Sequence, residues 1–146
     1  MPPKVNRQKL TNLNPSISAA KEQAIQNAQV LVNFSFKYLK DFDGEDKFGC
    51  IKHDSSYFIH FLGRIKNVST LNCLELKTNH SQALRAHPIN WNDTTEEKFG
   101  IPAEDQIVDQ PYQFSIQANE CGRVHGFFIN NTFYVVWLDK HHNLYS

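Results

Sequence analysis

The chain has 146 residues, is 40% hydrophobic and 12% aromatic, and carries fifteen basic against fifteen acidic side chains. That size suits one core that folds with neither disulfides nor metal, and the composition excludes a disordered or fibrous chain. Zero net charge excludes a whole-molecule field that gathers polyanions, and the longest apolar run, Phe133–Leu138, falls far short of the ~20 residues that cross a bilayer.

The charge is unevenly placed. Residues 1–40 hold six Lys and Arg against one Glu, residues 41–110 hold seven against twelve acids, and residues 111–146 hold two of each. Lys4, Arg7 and Lys9 have no apolar segment behind them, so no secretory signal is expected and the expected location is cytoplasmic, with no membrane partner. Cys50, Cys73 and Cys121 lie far apart and form no Cys-x-x-Cys pair, which suits thiols and argues against a disulfide framework or a thiolate zinc site.

Residues 1–13 are polar and basic and are expected to be disordered. Asn14-Pro15 then caps a helix over 15–28, with Ile17, Ala20, Ala24, Ile25 and Ala28 at helical spacing. Residues 1–29 thus form a basic arm with a short helix, and 30–146 a single α+β domain. Over 30–39 the period changes to two, with Phe34, Phe36 and Tyr38 alternating with polar residues, which predicts a half-buried strand. The acidic segment Asp41, Asp43, Gly44, Glu45 and Asp46 reads as a solvated loop, since a calcium loop needs a distal Glu that is missing.

Asp54-Ser55 caps a second helix with an apolar face of Tyr57, Phe58, Phe61, Leu62 and Ile65. Ser69-Thr70 restarts helicity through about Lys77 with Leu71, Leu74 and Leu76. Residues 79–110 lack periodicity and form either a functional loop or one holding short helices. Three strands close the chain: Tyr112–Gln117, Arg123–Ile129 and Thr132–Leu138. Asn130-Asn131 suits a type I′ hairpin between the last two. The final strand is apolar on both faces, the mark of a central strand. The expected fold is a twisted, mostly antiparallel sheet of about four strands with helices 55–67 and 70–77 on one face. The expected core is Phe34, Phe36, Phe58, Phe61, Leu62, Phe114, Phe133, Val135 and Trp137.

From Val30 onward the order strand, helix, helix, loop, strand, strand, strand resembles the RelE/ParE superfamily of small bacterial toxins. The local match is Gly122-Arg123-Val124 opening a strand, the Asn130-Asn131 turn, and a tail of Lys140-His141-His142 before Leu144-Tyr145. The end of the chain also resembles those of other bacterial proteins carrying an Arg-Val-His-Gly-Phe and Val-Val-Trp-Leu-Asp pair. The resemblance implies a metal-independent, ribosome-dependent RNA endonuclease that needs no cofactor. In it Arg123 holds phosphate, His141 or His142 serves as general acid or cation, and Tyr145 stacks on or activates the substrate. It implies RNA or the ribosome and a cognate antitoxin as partners. Two features set this chain apart: it is neutral, and about 29 residues precede its first strand.

The residues themselves allow that chemistry. Cleavage through the 2′-hydroxyl needs a base, an acid and a cation, and imidazole titrates near neutrality. Arg123 and His125 lie two apart on one strand, so they share a face. Lys37, Arg85, His87 and Lys140 are candidate substrate-binding residues. Each has a structural alternative. Arg123 can be an ion-pair partner at the surface, His125 a hydrogen-bonded core histidine, His141-His142 a solvated tail, and Tyr145 a ring packed on the sheet. Cys121 with His125 at i, i+4 matches no standard zinc motif. The alternatives to a nuclease are a ParE-like protein-binding module and an accessory protein of a mobile element or defence system. Convergence of Arg123, Lys37, Lys140 and the tail imidazoles on one concave face favours the nuclease; scatter favours a binding protein.

Overall fold

The computed structural model describes residues 15–40, 47–78, 84–117 and 122–145. The expected disordered arm, the acidic loop at 41–46 and Cys121 lie outside them. Backbone contacts divide the chain into residues 1–30 and 31–146. The first unit contributes helix α1, Pro15–Val30, in which residues 18–30 are exposed. Among the described residues no helix is long and apolar enough to cross a membrane.

The second unit begins with β1 (Asn33–Ser35), followed by helices α2 (Ser55–Val68) and α3 (Cys73–Thr78). Next come a two-residue strand β2 (His87–Pro88), a 3-10 turn at Trp91–Asp93 and the short helix α4 (Glu104–Ile107). Strands β3 (Pro111–Ser115), β4 (Arg123–Ile129) and β5 (Thr132–Asp139) lead to a last 3-10 turn at Asn143–Tyr145. The sheet has five strands in the order β1-β5-β4-β3-β2, one more than expected, the fifth being the β2 edge. It is mixed, with β1 parallel to β5 and the other pairs antiparallel.

Asp54 caps α2 as expected, its carboxylate accepting the Tyr57 amide at 2.9 Å. The buried face of α2 is Tyr57, Phe61 and Val68, with Phe58 and Ile65 half-buried. Leu62, expected in the core, is 64% exposed, because it lies one position past Phe61 and so about 100° further round the helix. Phe36 is also exposed. β1 ends at Ser35 and the chain turns at Lys37–Tyr38, so the period-2 pattern runs past the last residue that pairs. The hairpin is not type I′, since positive φ occurs at Asn130 but not at Asn131, and that turn needs it at both.

The helices cover one sheet face, where Tyr57, Phe61, Val68 and Leu76 meet Phe114, Val124, Phe133, Val135 and Leu138. The other face packs Phe127, Val136 and Trp137 under Phe48, Ile89, Phe99, Ile101 and Leu144. The segment after α3 therefore forms the second layer rather than a free loop. Glu104 orders it, its carboxylate accepting the amides of Phe99, Gly100 and Ile101 at 2.7 to 3.2 Å.

A β-bulge interrupts the β4–β5 ladder. Gly126 pairs with Val135 but His125 with Trp137, leaving Val136 as the extra residue. Val136 and Trp137 consequently share a face, and Asp139 stays on the side of Trp137 instead of joining the helix side. A Cβ at Gly126 would lie 2.0 Å from the Tyr134 carbonyl oxygen, which is why glycine stands there. The phase of α2 is open to direct test. Phe61→Ala should cost about 3–5 kcal/mol and Leu62→Ala less than about 0.5 kcal/mol, read from urea unfolding. Equal losses would contradict this packing.

Candidate functional site

On the face away from α2, strands β3, β4 and β5 bury a row of polar side chains: Gln113, Ser115, Arg123, His125 and Asp139. The ladder sets Ser115, Arg123 and Asp139 side by side, and Gln113, His125 and Trp137 beside them. Alternation along the strands puts them on one face, and the bulge adds Asp139 to it.

Asp139 is the centre of the bonding. One carboxylate oxygen accepts the Asn143 amide at 2.7 Å; the other accepts the Leu144 amide and His125 Nε2–H, both at 3.0 Å. Burial alone would raise the pKa of this carboxyl, but the bonds from His125 and the two amides outweigh it and hold it below the ordinary carboxylate range. Burial pushes the His125 pKa down, so the pair is a neutral imidazole donating to a carboxylate. The tail is tied further by the Thr95 amide, which donates to the Leu144 carbonyl at 2.8 Å.

The tail then turns back at His142, whose φ of +56° is left-handed, and sets that imidazole beside Tyr145 with ring centroids 5.1 Å apart. His87 reaches the same rim, 6.4 Å from the Tyr145 ring. Its Nδ1–H donates to the Pro88 carbonyl, leaving Nε2 to accept from the Gln113 amide at 2.8 Å. His142 is half-buried, and its pKa is lowered first by burial and then by the charge of Arg123. Burial, and the charge of Asp93 after it, raise the Tyr145 pKa.

Arg123, His125, His142, Tyr145 and His87 are therefore brought together, with Arg123 and His125 beneath and the other three at the surface. His125 is fully enclosed and bonded to Asp139, which makes it a support for the tail. The other candidates lie elsewhere. Lys37 sits over the Tyr38 ring, and Arg85 is an exposed residue on left-handed backbone before β2. Lys140 donates to Asp54 at 3.3 Å, and His141 lines a separate cleft with it. The convergence of Lys37, Lys140 and both tail imidazoles on Arg123, which would favour a nuclease, does not occur: Lys37, Lys140 and His141 lie apart from it, the scatter that favours a binding protein.

Sequence reasoning passed over Asp139, Gln113 and Ser115. An aspartate four and five residues ahead of Asn143 and Leu144 is the local signal that could have identified the clamp, by analogy with a helix cap. Among the described residues, four buried polar atoms on this face have no hydrogen-bond partner: Gln113 Oε1, Ser115 Oγ, His125 Nδ1 and Trp137 Nε1. Such groups are costly in a purely structural core and mark polar sites. No group of three or more His, Cys, Asp or Glu among the described residues is placed to hold a metal ion.

The cluster holds a buried guanidinium, whose Nη1–H donates to the Gly122 carbonyl at 3.1 Å, and an imidazole kept neutral, hence able to accept a proton. The two are coupled, since an anion on Arg123 would offset one cause of the low His142 pKa. Comparison with family models, curated proteins and solved structures gave no match to this chain.

The depressed imidazoles also fix a pH dependence. His125 and His142 both titrate below their ordinary value in the folded chain, that value being about 6.5. Below about pH 6.5 the unfolded chain binds more protons than the folded one, so stability present at higher pH is lost as pH falls. The urea midpoint should drop between about pH 7.5 and pH 5.5, and His125→Gln should flatten that drop. A midpoint rising on acidification would contradict the assignment.

Proposed function

We propose that this protein is a RelE-like RNA endonuclease that acts without metal or cofactor at the Arg123 cluster. The observation that carries the proposal is the Arg123 charge acting on the half-buried imidazole of His142 beside Tyr145. The element order from β1 onward, apart from the added β2 and α4, resembles that of the toxin superfamily and supports it. On this reading Arg123 holds the scissile phosphate and neutral His142 takes the proton of the 2′-hydroxyl. The 2′-oxygen bonds to phosphorus as the bond to the 5′-oxygen breaks, giving a 2′,3′-cyclic phosphate. The leaving oxygen takes its proton from the Tyr145 phenol; the His142 imidazolium then gives its proton to solvent and the phenolate takes one back. His125 and Asp139 position the tail that carries His142 and Tyr145.

A second reading is a binding module whose partner is a protein. It is favoured by large apolar side chains exposed on the helices, namely Ile59, Leu62 and Leu74, and by the dispersal of Lys37 and Lys140 away from Arg123. A cognate antitoxin, or a subunit of a mobile-element or defence system, would be the partner.

Purified protein incubated with messenger RNA and ribosomes separates the two. The nuclease reading expects fragments ending in cyclic phosphate. Arg123→Ala and His142→Ala should each lower the rate by about 10²- to 10⁴-fold, while Lys37→Ala, remote from the cluster, stays within about twofold. No cleavage by the wild-type protein, with growth arrest still seen on expression, would move the function to the binding module.

A further inference from the structure

A cleft opens on the helix side of the same strand ends. Its walls include the first turns of α2 (Ser56, Tyr57, His60), Gln117 after β3, and Lys140 and His141 after β5, and it encloses about 400 Å³. Lys140 and the two imidazoles face a single acid, Asp54, whose oxygens already accept from the Tyr57 amide and Lys140 Nζ. The first turn of the fourteen-residue α2 adds the positive end of its dipole. Tyr57 is 7% exposed, and its hydroxyl is buried with no partner among the described residues. Burial, with Cys50 and Asp139 nearby, raises its pKa, so the hydroxyl remains a donor. The edge of its ring lines the cleft beside Ile116 and Gly122.

The cleft and the Arg123 cluster are joined by three steps along the chain. Gly122, Lys140 and His141 line the cleft, while their neighbours Arg123, Asp139 and His142 belong to the cluster. Adjacent Cα atoms stand ~3.8 Å apart, so a single strand end separates the two, a gap that consecutive nucleotides of an extended strand can bridge. We propose that this cleft is a second phosphate subsite, taking the phosphodiester next along an RNA strand from the one at Arg123. The inference rests on the reading of the Arg123 cluster as an RNA site.

The test uses the full chain and 2′-O-methyl oligoribonucleotides, which cannot be cleaved through the 2′-oxygen: a dinucleotide with one phosphate and a trinucleotide with two. Binding is read by fluorescence anisotropy. Lys140→Ala and His60→Gln should each weaken the trinucleotide about five- to tenfold and leave the dinucleotide unchanged, whereas Arg123→Ala weakens both. If Lys140→Ala leaves trinucleotide affinity unaltered, or lowers both oligomers equally, the second subsite is wrong. If the wild-type protein binds neither oligomer, the RNA reading fails and orthophosphate titration judges the cleft alone. Saturable shifts of the His60 and His141 imidazole signals would retain it as a phosphate site, and unmoved signals would remove it.

Discussion

The carboxylate of Asp139 is the point on which the functional face depends. It is buried at the end of β5 and accepts from His125 on the neighbouring strand and from two amides of the tail. Three donors around one buried carboxylate compensate its desolvation, and removing the acceptor would strand all three. The bond to His125 fixes the strand pair, and the bonds to Asn143 and Leu144 fold the tail back over the sheet. Asp139 reaches this face because Val136 is an extra residue in the ladder. Strict alternation from Tyr134 would point Asp139 toward α2, into an apolar layer.

That anchor sets an electrostatic arrangement as well as a shape. The tail turns at His142 and brings an imidazole within the field of Arg123, which with burial keeps it neutral. Leu144 seals the second core layer against Phe127 and Trp137, so the same short tail that presents the polar rim also completes the hydrophobic packing. Function and stability are thus tied at one place. The polar row beneath, with Gln113 holding His87 at the rim, gives the site a stiff floor.

Much of this was legible in the sequence, and the misses have definite causes. The end of β4 was readable because the strand runs into a turn of two asparagines. The sharing of a face by Arg123 and His125 comes from alternation alone. The double-sided apolarity of β5 announced two covered faces, but what covers the second is a segment without periodicity, ordered by Glu104 and by side chains distant in sequence. The bulge was the decisive hidden element. It shifts the register by one residue, and the sequence marks it only by a glycine inside a strand, Gly126. Without that shift the place of Asp139 on the polar face cannot be worked out. His141 and His142 look equivalent as a pair, yet the left-handed backbone at His142 leaves His142 beside Tyr145 and His141 in the cleft with Lys140.

The most direct check on this account is amide hydrogen exchange of the wild-type protein near neutral pH, monitored by NMR. If the Asp139 carboxylate holds the tail on the sheet, the Asn143 and Leu144 amides should exchange orders of magnitude more slowly than in a free peptide, approaching the amides of β5. Exchange of both at the free-peptide rate, with β5 still protected, would mean that the tail is not anchored and that His142 and Tyr145 are not held beside Arg123.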